Sequence, residues 1–462
     1  MSAPFYSKGP GNDGYLKNIE VLAYDDLDGG SFFQSAMWKT DDGRYYLYGT
    51  MGPNIGIIEV TDPGKPRFVK KFQTIDQEKY KSSRNVKIQV ADGLMITGMA
   101  SGSGPWVPGQ PKRPTMPAEC CRQGIDIFDI KTDPENPKFL GYWDCGEPNS
   151  FGTHRFMYDG GRFVHTASSA RTFEGNIYRC IDIKDPTHPV EAGRWWMPHQ
   201  FADGYIGRTF DPNDSHTPEY MHKGWLHGAP FVKNGLAYCG YSGDGLVILN
   251  VEDVTRPYIV GQLPLVGPFG SYYGGATTHT ALPLPDRDLC VVTNEGERPA
   301  WFVPNNDPNI PGKKIGKIPQ ALNNIHMVDV SDPSNPTLIA EFPYPEVPEN
   351  FPFQNFQQMG LGVNYPFGPH NLHEPMPHKP WLEQRSDRIY CCYFAAGLRV
   401  YDISDEFVPK EIAYFIPPNT TRSISLPGPK VAVTEDLIVD ERGYIYINTW
   451  CDGLYIVKVI NN

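Results

Sequence analysis

The stretch "GIDIFDIKTDPENPKFLGYW", residues 124–143, decides the fold of this chain. It contains an alternating apolar strand that ends in Asp, a short turn with two prolines, and a second apolar strand. Alternation with a period of two indicates strands with one buried face. The Asp side chain can accept a hydrogen bond from the backbone two residues on, and Pro presets φ for the turn. The stretch therefore predicts an antiparallel strand pair.

The same pattern recurs along the whole chain. Further copies occupy residues 55–72, 176–195, 245–263, 324–342 and 397–415, and a first strand alone occupies 453–459. Upstream of the pairs lie further hairpins with their own turns, such as "TDDGRYYLYG", "VKNGLAYCG" and "DERGYIYIN". Four antiparallel strands per unit in seven units predict an all-β, seven-bladed β-propeller.

The last repeat lacks its outer strand, and the N-terminal region offers a replacement. The segment "NIEVLAYDDL" (18–27) matches the outer strands and precedes the first blade. We expect it to complete the last blade, which closes the ring and removes open sheet edges. The prediction is a single domain over residues 1–462.

The repeats resemble the LVIVD-repeat family of β-propellers in the strands "GLVILNV", "GLRVYDI" and "GLYIVKV". The resemblance covers nearly the whole chain and implies the propeller fold. The blades exceed the roughly 40–45 residues that a four-stranded blade needs. The surplus lies in the long segments 101–121, 199–224, 297–323, 344–369 and 416–430. Such loops on a rigid ring are expected to cover one mouth of its channel.

Composition excludes several classes of partner. The net charge is −12 without a basic stripe, which argues against nucleic acid as a partner. Because no apolar run reaches about 18 residues, we expect no membrane span. The start of the chain lacks an apolar signal region, and the nine cysteines lack a zinc-ribbon spacing. These features favour a cytoplasmic protein with reduced thiols, and they leave its oligomeric state open.

Histidines recur at one register of the predicted propeller. The inner strands of the blades line the central channel, so residues at one register converge on the axis. One histidine stands at about this register in each of blades three to six: His154, His227, His279 and His373. The first three precede an inner hairpin turn by five to seven residues, and offsets that differ by two keep the same strand face. His373 matches His279 through a shared H-x-x-[LM]-P.

A single histidine on a strand is most often a core or surface residue, but only 12 occur in the chain, so four in register predict a metal site. His370 precedes His373 in "FGPHNLHEPMPHKP" (367–380), where the prolines exclude a helix. On an extended strand the two side chains face opposite ways. We interpret His370 as a contact behind the metal or to the substrate, with the alternative that it replaces His373 as the ligand.

The other blades place further polar residues near this level: Gln34, Arg84, Asn85, Glu435 and Asp436. Glu435 or Asp436 could act as a catalytic base or as a hydrogen-bond partner of a ligand. Glu295, in "VVTNEGE", could orient a ligand or lie at the surface.

An all-imidazole site without cysteine suits Fe(II), Cu, Ni or Zn, with Mn also possible, and disfavours Mg and Ca. Four ligands from one side of a ring leave open positions for substrate, water or dioxygen. The arrangement is similar in architecture to that of the carotenoid cleavage oxygenases, seven-bladed propellers whose iron is held by four histidines. No sequence motif is shared with them, so this is an analogy of architecture.

Aromatic residues are frequent in the predicted covering loops, and they suggest an apolar pocket above the metal. They are Trp106, Trp195, Trp196, Tyr220, Trp225, Tyr272, Tyr273, Trp301, Phe351, Phe353, Phe356 and Tyr365. The leading hypothesis is a non-haem Fe(II) oxygenase acting on a small apolar or aromatic substrate. The alternatives are a non-redox metal-dependent lyase, hydratase or hydrolase, and a propeller scaffold that binds a protein partner.

Overall fold

The computed structural model describes residues 14–101, 117–147, 150, 152–201, 225–265, 277–295, 324–351, 356, 367–419, 432–450 and 452–460. Within these ranges 28 strands, β1 to β28, form seven antiparallel sheets of four strands each. The helical elements there include the 3₁₀ turns Ala118–Cys120 and Pro198–Gln200. The predicted all-β, seven-bladed propeller is confirmed.

Blades one to three are continuous in sequence. Blade one contains β3 (Ser35–Lys39), β4 (Tyr45–Met51), β5 (Asn54–Glu59) and β6 (Arg67–Gln73). Blade two contains β7 (Ser83–Ala91), β8 (Leu94–Ser101), β9 (Gly124–Asp129) and β10 (Lys138–Asp144). Blade three contains β11 (Thr153–Met157), β12 (Phe163–Ser169), β13 (Asn176–Asp182) and β14 (Val190–Trp195).

Blades four and five follow the same order. Blade four contains β15 (Phe231–Lys233), β16 (Leu236–Tyr241), β17 (Gly245–Asn250) and β18 (Tyr258–Leu263). Blade five contains β19 (Thr277–Pro283), β20 (Leu289–Glu295), β21 (Ile325–Asp329) and β22 (Thr337–Glu341).

Blades six and seven each take a strand from the N-terminal region. Blade six contains β23 (Arg388–Cys392), β24 (Leu398–Asp402), β25 (Lys410–Ile416) and β1 (Tyr15–Lys17). Blade seven contains β26 (Thr434–Val439), β27 (Tyr444–Thr449), β28 (Leu454–Val459) and β2 (Ile19–Asp25). The pairing of β2 with β28 is the predicted ring closure. The pairing of β1 with β25 was not predicted, and it joins the same segment to a second blade.

The repeated Asp-Pro turns form as their sequence predicts. In each, an Asp side chain accepts a hydrogen bond from the backbone N–H two residues on, for example Asp133 from Glu135 and Asp332 from Ser334, both at 3.0 Å. These turns also join neighbouring blades. A Cβ atom on Gly141, in an outer strand, would lie 2.3 Å from the carbonyl oxygen of Pro186 in the next blade's turn. The outer strands therefore need glycine where the adjacent turn approaches.

Apolar residues of the middle strands fill the space between adjacent sheets, and most are fully buried. The eight cysteines within the described ranges are free thiols. Among the same residues, no helix has the length and apolar character that crossing a bilayer requires.

Candidate metal centre

Irregular pairing shapes the inner strands where they approach the axis. In blades two, three, five and seven the pairing shifts by one residue near the start of the inner strand, at Val86, His154, His279 and Glu435 respectively. In blade four, the N–H groups of His227 and Gly228 both face the carbonyl of Gly240, at 2.9 and 3.4 Å. A β-bulge redirects the side chain of its extra residue. The same irregularity in five blades therefore determines which side chains are redirected at this level.

Four imidazoles from consecutive blades form an arc at this level. The ring centroids of His154 and His227 lie 5.3 Å apart, those of His227 and His279 4.5 Å, and those of His279 and His370 4.6 Å. His370 is part of blade six, where Leu372 bridges to Cys391 of β23. Residues 52 to 91 positions apart in the chain thus become neighbours in the ring.

The carboxylate of Glu295, the last residue of β20, faces three of these rings. Its oxygens lie 3.3 Å from His227 Nε2, 3.8 Å from His279 Nε2 and 3.4 Å from His370 Nε2. The candidate ligand atoms of His227, His279 and Glu295 all lie within 4.8 Å of one another. Two ligands about 2.1 Å from a shared ion would be about 3.0 Å apart at a right angle and about 3.4 Å apart at a tetrahedral angle. The observed separations fit a shared cation.

Hydrogen bonding fixes the orientation of His370. Its Nδ1 lies 2.9 Å from the carbonyl oxygen of Glu435, which can only accept, so Nδ1 carries the proton of the neutral ring. The lone pair is then on Nε2, which faces the Glu295 carboxylate. A lone pair opposite a carboxylate is unfavourable unless a proton, a water or a metal cation lies between them. A backbone carbonyl on the second ring nitrogen is also the usual support for a metal-bound histidine.

Burial keeps the imidazoles neutral. Loss of hydration lowers the pKa of His227 to about 3, with a further lowering from the Arg155 charge. It also holds the pKa of His154, His279 and His370 well below the usual value. Neutral imidazole is the form that binds metal, so the rings need not release protons to act as ligands at neutral pH.

His373, predicted as the blade-six ligand, does not join this arc. Its Nδ1 accepts a hydrogen bond from Val439 N–H at 3.1 Å, so its Nε2 carries the proton and donates to the carbonyl of Glu383 at 2.8 Å. Both ring nitrogens are thus used by the backbone, and neither offers a lone pair to a metal. The alternative, His370, is the residue that the fold brings to the other histidines.

The two predicted catalytic acids occupy different places. Glu435 lies beside His370, with Oε2 3.6 Å from His370 Nδ1 and bonded to the indole N–H of Trp450. Asp436 turns toward blade one, where Oδ2 accepts a hydrogen bond from Ser35 N–H at 3.0 Å. Burial raises the pKa of each carboxyl to about 7. Of the two, Glu435 is the one that borders the imidazoles.

Two basic residues that the sequence reasoning missed follow the bulges. Lys87 comes directly after Val86, and Arg155 directly after His154. Arg155 bonds Asn371 and pairs with Glu374 at 2.8 Å. The sequence signal for Lys87 and Arg155 was a basic residue inside an alternating inner strand, in "RNVKIQV" and "THRFM".

An insertion in blade six closes the channel beneath this level. Residues 374–383, here called the floor segment, reach four other blades. His378 N–H faces Asp159 at 3.2 Å, Lys379 Nζ donates to Gln89 at 2.6 Å, and the Trp381 indole donates to the Met37 carbonyl at 2.8 Å. Leu382 pairs with Asp440 of blade seven. The insertion follows His373 directly. The short sequence similarity to blade five therefore did not reveal that His373 lies outside the arc.

A cavity of about 30 Å³ lies between Asp436 and the floor segment, lined also by Gln34, Gln89 and Glu374. Its size suits one or two waters. None of the four imidazoles of the arc lines it.

The predicted aromatic cover falls mainly outside the described residues: Trp106, Tyr220, Tyr272, Tyr273, Trp301, Phe353 and Tyr365. Of the others, Phe351 and Phe356 pack against each other and a large core cluster. Trp195 packs against Tyr241 of the next blade. Trp225 is exposed and its ring centroid lies 6.2 Å from that of His227.

Comparison with known proteins supports the fold. Residues 321–342 match the LVIVD repeat model, and no curated protein matches the chain by sequence. Its structure is similar to the Cps50 (Swd1) β-propeller domain of Myceliophteria thermophila at 8% identity, covering 96% of this chain and 100% of that chain with a TM-score of 0.50. The virginiamycin B lyase of Staphylococcus aureus is 10% identical, with coverages of 96% and 100% and a TM-score of 0.48. The similarity to the Cps50 domain concerns the fold alone.

Proposed function

We propose that this protein is a metal-dependent enzyme with a divalent transition metal at the arc of His154, His227, His279 and His370. The observation that carries the proposal is the approach of three Nε2 atoms to the Glu295 carboxylate at 3.3 to 3.8 Å. Neutral rings and a carboxylate at these separations form a donor set for a cation.

The donor types favour iron. His227, His279 and His370 supply three imidazoles and Glu295 supplies one carboxylate, a donor set that suits Fe(II). We therefore propose a dioxygenase that places both atoms of dioxygen in a small apolar or aromatic substrate, so no further reductant is required. When bound, the metal would supply activation of dioxygen. The chain would hold the ligands, through the Glu435 carbonyl at His370, and exclude water with the floor segment.

The test is elemental analysis of the full-length protein after purification without chelators, followed by reconstitution with Fe(II) under nitrogen. We expect about one equivalent of metal per chain, and less than a tenth of that in His279→Asn. Lys39→Met, at an exposed ion pair with Glu441, is the matched control and should keep its metal. Stoichiometric metal in His279→Asn would contradict the site.

A non-redox lyase, hydratase or hydrolase is the second candidate. The observation in its favour is Glu435, a carboxyl with a pKa raised to about 7 by burial beside the arc, which suits proton transfer near neutral pH. Consumption of dioxygen with turnover supports the first candidate. Full activity with Zn under nitrogen supports the second.

A further inference from the structure

The side of the channel mouth next to the arc contains a lysine and a carboxylate that do not reach each other. Lys87 Nζ lies 3.9 Å from Glu435 Oε1, although both side chains are at most 2% exposed. Glu435 Oε1 has no hydrogen-bond partner within the described ranges. The ammonium also lies over the ring of Phe33, with the ring centroid at 4.1 Å.

The neighbouring blade shows how a buried cation at this register is otherwise satisfied. Arg155 follows the bulge of blade three as Lys87 follows that of blade two, and it bonds both Asn371 and Glu374. Leaving a buried charged group without a hydrogen bond is costly, so a gap between two such groups calls for an occupant. The Lys87–Glu435 gap is of this kind.

The gap fits one oxygen atom that both accepts and donates. An oxygen about 2.8 Å from both atoms would subtend an angle of about 90° across their 3.9 Å separation, within hydrogen-bonding geometry. The ammonium can only donate and the ionised carboxylate can only accept. A hydroxyl group satisfies both, whereas an ether or a ketone oxygen leaves the carboxylate without a donor.

Aromatic rings lie close to Glu435 and continue toward the arc. Trp450 donates its indole N–H to the other oxygen of Glu435, and Phe394 packs edge-on against Trp450 at 5.9 Å. Phe394 also stacks on the His370 ring at 4.5 Å, so the aromatic wall continues to the arc. A hydroxyl held between Lys87 and Glu435 would thus be attached to a group that prefers aromatic contacts.

We propose that Lys87 and Glu435 together bind the hydroxyl group of a phenolic substrate at the edge of the metal centre. Lys87 donates to the phenolic oxygen, and the phenolic O–H donates to Glu435 Oε1. The inference rests on the proposed function, of which it specifies the substrate class.

The experiment compares two probes that differ only in this group, 4-ethylphenol and 4-ethylanisole. Binding of each to the full-length, Fe(II)-reconstituted protein is measured by calorimetry under nitrogen, and metal content is determined on the same samples. We expect the phenol to bind at least about tenfold more tightly, because the methyl ether cannot donate to the buried carboxylate. Lys87→Met and Glu435→Gln should each reduce this preference by about tenfold, and Lys39→Met should leave it unchanged.

Equal binding of the two probes by the unmodified protein would overturn the inference and would indicate that water fills the gap. A preference that both variants retain would also overturn it, since the hydroxyl would then bind elsewhere. Glu435→Gln, the smaller change, keeps the test decisive where Lys87→Met fails to fold. If the protein binds one metal ion per chain but does not prefer the phenol, only this inference is refuted. If it prefers the phenol but binds no metal, only the proposed metal centre is refuted.

Discussion

The competing histidines of blade six provide the sharpest test of the site. His370→Asn and His373→Asn change similar side chains three positions apart, but the structure assigns them different roles. His370 directs Nε2 toward Glu295, whereas His373 uses both ring nitrogens on the backbone of Val439 and Glu383. We expect His370→Asn to abolish stabilisation by metal, and His373→Asn to lower stability while keeping the metal response.

The magnitudes follow from linkage and from the lost hydrogen bonds. At a metal concentration about 100 times the Kd, binding stabilises the folded state by about 2.7 kcal/mol. For 462 residues the entropy of unfolding is about 1 kcal/mol/K, so the Tm should rise by about 3 °C. Removing the His373 ring leaves two buried backbone groups without partners at about 1–3 kcal/mol each, which lowers the Tm by about 2–6 °C.

The assay is differential scanning calorimetry of metal-free protein with and without added Fe(II) under nitrogen. The unmodified protein and His373→Asn should show the same rise in Tm on metal addition, from different starting values. His370→Asn should show less than a third of that rise. A full metal response in His370→Asn, or its loss in His373→Asn alone, would refute the assignment of the blade-six ligand.

Three further predictions concern pH, packing and charge. Burial lowers the pKa of His373 to about 4, so this residue stays neutral in the folded chain, whereas in the unfolded chain it takes up a proton below about pH 6.5. The free energy of unfolding of the metal-free protein should therefore fall by about 3 kcal/mol from this residue as the pH drops from 6.5 to 4. Urea titration measures this loss. A Cβ atom on Gly240 would lie 2.1 Å from the carbonyl oxygen of His279, so Gly240→Ala should destabilise the fold by about 1–3 kcal/mol and weaken metal binding, as measured by urea and metal titrations. Arg155→Met leaves the Glu374 carboxylate without its buried partner and should cost about 3–5 kcal/mol by urea titration, and a simultaneous Glu374→Leu should recover part of that loss.

Each of these has its own control and contrary outcome. The pH dependence should be smaller in His373→Asn, and an identical dependence would exclude this residue as its source. Gly64→Ala, where the nearest atom to a new Cβ is a side-chain oxygen at 3.4 Å, should be close to neutral. An equal loss at Gly64 and Gly240 would contradict the packing argument. If the double variant Arg155→Met, Glu374→Leu is no more stable than Arg155→Met, the unpaired carboxylate is not the cause of the lost stability.

The fold was predictable because its signals are local and repeated. Strand alternation and Asp-Pro turns act within about 20 residues, and each copy forms the hydrogen bonds that its own residues dictate, as at Asp133 and Asp332. Closure by β2 followed from matching the segment 18–27 to the outer strands. The second role of the N-terminal region, in which β1 joins blade six, carried no such signal, because a three-residue strand has too short a pattern.

The site was predictable only in part. The common register of His154, His227 and His279 could be predicted because the bulges recur at the same level and bring these rings together. His373 lies outside this register, although its H-x-x-M-P sequence resembles the H-x-x-L-P of blade five. The strand register in blade six is set instead by pairing with β23, and the floor segment after His373 takes that residue away from the axis.

The sequence by itself determined the seven-fold repeat and the residue types available at the axis, because period-two patterning and turn chemistry are properties of short segments. Only the tertiary structure decided which nitrogen of which histidine faces Glu295, and that Lys87 and Glu435 lie 3.9 Å apart. The contact of His370 with Glu295 joins residues 75 positions apart, and that of Lys87 with Glu435 joins residues 348 positions apart. They depend on strand register, bulges and tautomers, which are fixed when the sheets pack around the axis.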